Sequence, residues 1–205
     1  TTRSVAAEPR SRWASRSSAS GVDARTSPLC TRTSPSPRSG RASERPPAVT
    51  TTASGTLRVA SIYLPNGNPI GTDKFAYKLA WLERLRLHFK ALLKLEEPTI
   101  LGGDYNVIPE PIDARFPENW LGDALFQPQT RQAFRRLLNL GFTEAVRAVT
   151  DAPDTYTFWD YQAGAWQKNN GIRIDHLLLS PEAANRFSSA SIEKHVRAWE
   201  KPSDH

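Results

Sequence analysis

Apolar and polar residues follow regular periods only from about residue 56 onward. The stretch "TLRVASIYLP" alternates β-branched and aromatic residues, which predicts a strand that ends at the turn Pro65-Asn66-Gly67. In "DKFAYKLAWLERLRLHFKALLKLEE" the apolar residues recur every three or four positions, which predicts a long amphipathic helix. The short apolar run in "EPTILGGDYN" breaks into two glycines and predicts a buried strand that ends at Asp104.

The second half of the chain predicts further strands and two more helices. A polar loop over about 107–127 precedes the amphipathic helix "PQTRQAFRRLLNLG". Then follow the strands "TYTFWDY" and "GIRIDHLLLS", the short helix "PEAANRF" and a last strand around "SIEKHVRAW". This order predicts an α/β (α+β) fold with helices packed over sheets. Two strand ends, at Asp104 and Asp175, present carboxylates where open α/β sheets usually have their sites.

Residues 1–55 differ from the rest in composition. Arg, Ser, Pro, Ala, Thr and Gly make up 46 of these 55 residues, and Ile, Phe and Tyr are absent. Such a stretch buries too little apolar surface to offset its ordering entropy, so we predict a disordered low-complexity tail before a domain over 56–205. Three origins stay open. They are a frameshift product of GC-rich DNA, which the absence of Met favours, a genuine extension, and a targeting segment.

The net charge of +6 lies entirely in the tail. Of the 27 basic and 21 acidic residues, nine and three lie in 1–55, so residues 56–205 carry equal numbers of each sign. The basic charge therefore does not predict nucleic-acid binding by the folded part. The single cysteine, Cys30, is also in the tail, which excludes a disulfide or thiolate metal site in the fold. No run approaches the ~18 apolar residues of a membrane span, so we expect a soluble cytoplasmic protein.

The strand ends carry the first candidates for chemistry. Asp104 and Asn106 are two positions apart, so on an extended chain they share one face, where a carboxylate and an amide suit a hard cation such as Mg²⁺. The same pair also fits an Asx turn that closes the strand. Asp175 lies in an apolar strand, where a charge is costly unless it is paired. Either this strand end is exposed or Asp175 has a designated partner.

Several other polar and aromatic residues have two interpretations each. Tyr63 either packs in the core or hydrogen-bonds a phosphate. The aromatic stretch "YTFWDYQAGAW" either packs in the core or lines a cleft that stacks on bases. We expect His176 to be structural and His88 to be a surface residue. The final "DH" is either a loose polar tail or a catalytic pair, because histidine is suited to proton transfer near neutral pH.

Five segments occur in the order "YLPNG", "GGDYN", "TFWDY", "NNGIRIDHLLLSP" and "KPSDH". Together they resemble the exonuclease III branch of the endonuclease/exonuclease/phosphatase superfamily, over about residues 57–205. The "GDxN" motif is common to many members, whereas "NGIRIDHLLLS" with "WEKPSDH" is more specific to bacterial exonuclease III-like DNA repair nucleases. The resemblance implies a four-layer α/β sandwich. We expect it to be incomplete, because the family's metal-binding Glu and its final strand have no counterpart here.

The resemblance also implies three sets of site residues. The catalytic set is Tyr63, Asp104, Asn106, Asp175 and His205. The metal-binding set is Asp104, Asn106, Asp204 and His205. The substrate-binding set is Asn66, Trp159 and Arg173. In this scheme Asp175 orients His205, which accounts for a carboxylate in an apolar strand.

The implied function is a monomeric Mg²⁺-dependent (or Mn²⁺-dependent) phosphodiesterase of base-excision repair. Its implied substrate is double-stranded DNA with 3′ ends or abasic sites. Two alternatives stay open: another phosphoesterase of the superfamily that acts on a phosphoinositide or sphingomyelin, and an inactive truncated product that at most binds DNA weakly.

Overall fold

The computed structural model describes residues 48–52 and 55–205, with side chains from residue 56 onward. Strands β1 (Ala48–Thr52) and β2 (Gly55–Tyr63) form an antiparallel hairpin. β1 corrects the predicted end of the tail at residue 55, because its run of valine and threonines is β-branched and favours a strand. The prediction of disorder for the earlier residues lies outside the described part of the chain.

The described strands form one five-stranded sheet in the order β1-β2-β3-β5-β4. The other strands are β3 (Thr99–Asp104), β4 (Thr143–Glu144) and β5 (Asp175–Leu179). The α-helices are α1 (Asp73–Leu93), α2 (Pro128–Leu138), α3 (Ala145–Val149) and α4 (Pro181–Ala184). β2 and β3 are parallel, as their connection through a long helix requires, and β5 runs antiparallel to both β3 and β4. The predicted α/β class is confirmed.

Helices α1 and α2 cover one face of this sheet. Leu101 and Leu178 lie side by side on β3 and β5, fully buried beneath Phe89 of α1 and Phe134 of α2. The opposite face is more open, and on it Val59 retains 38% of its exposure. No helix among the described residues is long and apolar enough to cross a membrane.

Two predicted strands are wrong. In the predicted strand "TYTFWDY", Thr157 and Phe158 both donate their N–H groups to the carbonyl of Ile172. This leaves a single β-bridge instead of a ladder of paired residues. The last predicted strand, around "SIEKHVRAW", forms a 3₁₀ helix instead, Lys194–Ala198. Lys194 and Arg197 are three positions apart and therefore point the same way on that helix, toward the rings of Trp159 and Trp166.

The predicted polar loop over 107–127 contains a feature that the sequence did not reveal. It forms two 3₁₀ turns, and the first, Pro111–Asp113, buries Asp113 completely. Asp113 Oδ1 accepts hydrogen bonds from Arg173 Nε (2.8 Å) and Arg147 Nη2 (2.7 Å). Arg173 Nη1 also lies 3.0 Å from Glu144 Oε1. These four residues form a buried ionic network that links the loop, β4, α3 and the start of β5.

His176 joins this network on the helix side of the sheet. Arg173 Nη1 lies 3.1 Å from His176 Nδ1, and His176 Nε2 lies 3.0 Å from the carbonyl oxygen of Val107. Since arginine only donates, Nδ1 accepts and Nε2 carries the hydrogen that binds Val107. The expectation that His176 is structural is therefore confirmed, and the ring ties β5 to the segment that follows β3.

The ionic network predicts a contribution to stability in acid. Burial acts to raise the pKa of Glu144, but the charge of Arg173 and the hydrogen bond from the Arg147 N–H lower it below its ordinary value of 4.5. Because the folded-state pKa lies below the ordinary value, the stabilisation is present above pH 4.5 and is lost as the pH falls through the folded-state pKa.

Glu144→Gln should therefore lower the free energy of unfolding at neutral pH and flatten its dependence on pH below about pH 4.5. Urea unfolding followed by tryptophan fluorescence at a series of pH values measures both effects. Glu118→Gln, which changes an exposed carboxylate, is the matched control and should leave the curve unchanged. Equal pH slopes in the wild type and in Glu144→Gln would contradict this assignment.

Candidate active site

Three side chains form one row across the sheet, on the face opposite the helices. Tyr63 at the end of β2 is in register with Asp104 at the end of β3, and Asp104 is directly opposite Asp175 at the start of β5. Laterally paired residues point to the same face of a sheet. The strand ends that the sequence singled out therefore lie together at one edge. Tyr63 is 72% exposed, so its phenol is a surface group and the core alternative is wrong.

Asp104 and Asn106 form a tight local structure. Asp104 Oδ1 accepts from the Asn106 N–H (2.8 Å), and Asp104 Oδ2 accepts from Asn106 Nδ2 (2.9 Å). This is the Asx turn considered from the sequence, with Asn106 in the left-handed region at φ 48°. The turn does not exclude a site: Asp104 is half-buried at the open edge, whereas the amide of Asn106 is buried.

Electrostatics make Asp104 unusual. Burial raises its pKa, and the negative charge of Asp175 raises it further, while the hydrogen bond from the Asn106 N–H opposes both effects. A carboxylate in this state has a higher affinity for a proton than an ordinary aspartate. A cation that approaches this edge of the sheet stabilises the ionised form of Asp104.

Asp175 has the designated partner that its place in an apolar strand required. Its Oδ2 lies 2.7 Å from His205 Nδ1, and the His205 ring stands edge-on to Phe158 at 5.1 Å. The hydrogen bond to Asp175 raises the pKa of His205, because the carboxylate stabilises the imidazolium form. At the other end of Asp175, the hydroxyl of Thr157 accepts the Asp175 N–H at 3.1 Å. Thr157 thus fixes the main chain at Asp175, and His205 fixes its carboxylate.

The segment that carries His205 is attached to the aromatic stretch. The Trp159 N–H donates to the carbonyl of Asp204 (2.8 Å), and Tyr161 Oη donates to the carbonyl of Pro202 (2.7 Å). These bonds, with the pair formed by His205 and Asp175, argue against the interpretation of the final residues as a loose tail.

Two further predicted site residues, Asn66 and Asp204, contact the site less directly. Asn66 is exposed beside it, and its Nδ2 lies 3.3 Å from Asn106 Oδ1. The carboxylate of Asp204 acts on His205 through its charge, and its described hydrogen-bond contact is with Ser203 Oγ at 3.5 Å.

Two predicted substrate-binding residues are buried. Trp159 and Arg173 are each 1% exposed. Trp159 Nε1 donates to Asn169 and its ring packs against Trp166, while the Arg173 guanidinium is directed at Asp113 and Glu144. This placement corrects the predicted substrate-binding role, because both polar groups already have protein partners.

Lys78 on α1 is a site residue that the sequence analysis missed. Its side chain is completely buried, and Nζ donates to the carbonyls of Asn66 (2.8 Å) and Asn106 (2.6 Å). Burial lowers its pKa to about 7, against the opposing charges of Asp123 and Asp104. A lysine within an apolar helix face was the available signal, since such residues are rarely buried without a specific partner.

The oxygen donors at this edge fit an open divalent-cation site. Mg²⁺ prefers oxygen ligands and is often held by one or two carboxylates, with water or phosphate completing its shell. Asp104 supplies such a carboxylate. Within residues 56–205, no three side chains of the His, Cys, Asp and Glu types form a group suited to hold an ion.

Asp175→Asn should move the titration of His205 to lower pH, because the variant removes the charge that raises the pKa of His205. NMR titration of the histidine ring protons measures this, with His88→Gln used to assign one of the four histidines. Asp151→Asn, at an exposed loop position, is the control and should leave the His205 curve in place. An unchanged His205 midpoint in Asp175→Asn would show that the pair does not form in solution.

Comparison with known proteins gives consistent matches. A bacterial relative, the exodeoxyribonuclease of Bacillus subtilis (strain 168), is 36% identical over 139 residues, which cover 67% of this chain and 54% of that protein. An AP endonuclease structure from Archaeoglobus fulgidus matches with a TM-score of 0.69 and 35% identity, and covers 73% of this chain and 58% of that one. The structure of the 3′ phosphatase NExo from Neisseria bound to a product DNA hairpin matches with a TM-score of 0.71 and 32% identity. This match covers 77% of this chain and 60% of that one.

The chain thus spans a little over half the length of these relatives. The exodeoxyribonuclease and the AP endonuclease carry the names of the branch that the sequence motifs indicated. The model of the Endonuclease/Exonuclease/phosphatase family matches residues 13–205, almost the whole chain. The chain belongs to the Endonuclease/Exonuclease/phosphatase family, in its exodeoxyribonuclease III and AP endonuclease branch.

Proposed function

We propose that this chain is the part of a divalent-metal-dependent DNA phosphodiesterase that carries its His–Asp pair, with 3′ ends and abasic sites of double-stranded DNA as substrates. One observation carries the proposal: His205 Nδ1 lies 2.7 Å from Asp175 Oδ2, and Asp175 is directly opposite Asp104. A histidine oriented by a carboxylate beside a second carboxylate is an arrangement suited to acid–base chemistry at a phosphate.

The two carboxylates have different tasks in this mechanism. Asp175 is engaged with His205 Nδ1, so it orients the ring, and Nε2 is the nitrogen that faces a substrate. Asp104 has the raised pKa and accepts the proton of the attacking water. The imidazolium form of His205, which Asp175 stabilises, places a positive charge next to the phosphate as negative charge develops there.

The amides and the phenol at the edge position the phosphate. Asn66 and Tyr63 are exposed next to Asp104 and can donate hydrogen bonds to phosphate oxygens. The buried amide of Asn106 holds the Asp104 carboxylate in place through Nδ2. A bound Mg²⁺ (or Mn²⁺) would neutralise the phosphate and the leaving oxygen, with Asp104, Asn106 and Asp204 as the residues proposed to hold it. The imidazolium form of His205 has no lone pair for a metal, so His205 is left out of this set.

The relatives support the choice of substrate. Their names include an exodeoxyribonuclease, an AP endonuclease and a 3′ phosphatase bound to a product DNA hairpin. A lipid phosphoesterase is the alternative within the superfamily, and the sequence "NGIRIDHLLLS" with "WEKPSDH" favours the DNA enzyme.

The test incubates the chain with Mg²⁺ and an abasic duplex, a duplex with a recessed 3′ end, and phosphoinositide or sphingomyelin vesicles. We expect cleavage of the DNA substrates only. Asp104→Asn and His205→Ala should each reduce the rate about 10²–10⁴-fold, the usual scale for acid–base and electrostatic groups. His88→Ala, on the exposed side of α1, is the control with an unchanged rate.

Release of lipid headgroups without DNA cleavage would transfer the proposal to the lipid alternative. Absence of metal-dependent cleavage of any substrate would overturn it for this chain and favour the inactive product. Near-normal turnover by His205→Ala would refute the mechanism even if DNA is the substrate.

A further inference from the structure

The side chain of Lys78 connects the two loops that form one wall of the candidate site. Asn66 lies in the loop after β2, and Asn106 lies directly after β3. Lys78 Nζ donates to the main-chain carbonyls of both residues, at 2.8 and 2.6 Å. The lysine comes from α1, which connects β2 to β3, so one helix reaches across to both strand ends.

The surroundings of Lys78 are built around its alkyl stem. Gly67 has φ +90° and packs so closely on the lysine that a Cβ there would lie 2.5 Å from Lys78 Cδ. Ala124 closes the same space, since that Cβ would lie 3.4 Å from the Ala124 Cβ. The loop after β2 therefore lies directly over the stem, and the glycine is required at this point because any larger residue displaces either the loop or the lysine.

The two carbonyls belong to the residues whose side chains meet at the edge. Asn66 Nδ2 lies 3.3 Å from Asn106 Oδ1, while Asn106 Nδ2 donates to Asp104 Oδ2 (2.9 Å) and to the carbonyl of Leu64 (2.8 Å). This chain of amides ends at the carboxylate that has the raised pKa. A displacement of either main-chain carbonyl moves the corresponding amide, and so the surroundings of Asp104.

We propose that Lys78 is a positioning residue of the site: it joins the main chains of Asn66 and Asn106, and thereby sets the alignment of their amides with Asp104. This inference rests on the proposed function, in which Asn66 binds the phosphate and the Asn106 amide holds the Asp104 carboxylate that accepts the proton of the attacking water. An amine nitrogen donates two hydrogen bonds with or without its extra proton, so the link persists in either protonation state.

Lys78→Met tests the proposal, because methionine keeps most of the length of the stem and removes the donor. Lys90→Met, at an exposed position in the last turn of α1, is the matched control. The first measurement needs no catalysis. In ¹⁵N NMR spectra, the side-chain amide signals of Asn66 and Asn106 should shift, and the Asn106 amide should exchange its hydrogens faster in Lys78→Met only.

The second measurement is steady-state cleavage of an abasic duplex with Mg²⁺. A misplaced positioning group acts mainly on kcat, so we expect kcat to fall about 10- to 100-fold while KM changes less than about threefold. Lys78→Arg keeps two or more donors and should restore both the amide protection and most of kcat. If Lys78→Met does not fold, Lys78→Gln is measured in its place, since its shorter amide reaches one carbonyl at a time and should give an intermediate loss.

Unchanged amide signals in Lys78→Met, or in Lys78→Gln where it is measured instead, would overturn the proposal. Shifted amide signals with an unchanged kcat in an enzyme that cleaves DNA would also overturn it. A loss of kcat of the same size in Lys90→Met would also overturn it. If the wild-type chain cleaves no DNA, the proposed function fails separately, and the amide signals alone decide whether Lys78 joins the two loops.

Discussion

Two carboxylates, Asp104 and Asp175, are placed directly opposite each other by the register of β3 and β5. Like charges at such a position repel and destabilise a sheet, so the surroundings must compensate for the repulsion. Each carboxylate has its own set of donors. Asn106 supplies two hydrogen bonds to Asp104, and His205 supplies one to Asp175. The hydrogen bonds from Asn106 and His205 compensate for the repulsion between the two carboxylates.

The opposite face of the same strands carries a second set of charges. Arg173 and His176 flank Asp175 in the sequence, and both are buried among Asp113, Glu144 and the carbonyl of Val107. Breaking a buried ion pair by removing one partner is strongly destabilising, because the other charge is left unpaired. The network therefore resists any slip in the register of β5, and a slip of one residue would turn Asp175 away from Asp104.

Much of this arrangement could be predicted from the sequence. The periods of the apolar residues identified α1, α2, the strand that ends at Asp104 and the strand that carries Asp175. The cost of a charge in an apolar strand indicated that Asp175 is either at an exposed strand end or paired. Motif resemblance indicated that His205 is this partner. The ionic network was missed, because Asp113 lies in a polar loop without any period and its partners are 34 and 60 positions away.

The substrate-binding predictions for Trp159 and Arg173 failed for a related reason. An aromatic or basic residue in a motif has the same appearance in the sequence whether it faces the cleft or supports it from behind. The difference is set by which face of the chain turns outward. In the stretch around Trp159, both Thr157 and Phe158 donate to one carbonyl, which breaks the alternation of a regular strand. Trp159 is therefore buried, and its main-chain N–H donates a hydrogen bond to the carbonyl of Asp204.

Lys78 shows the same principle from the other direction. Helical periodicity places it on the apolar face of α1, and the loop after β2 packs over it and removes it from solvent. Burial of a lysine costs free energy, and two main-chain carbonyls offset part of this cost. The loop thus supplies one of the acceptors of the lysine, and the lysine joins the loop to the segment after β3. Gly67 allows the loop to pack directly on the Lys78 stem. With the loop in this position, the amides of Asn66 and Asn106 are in contact beside the paired carboxylates.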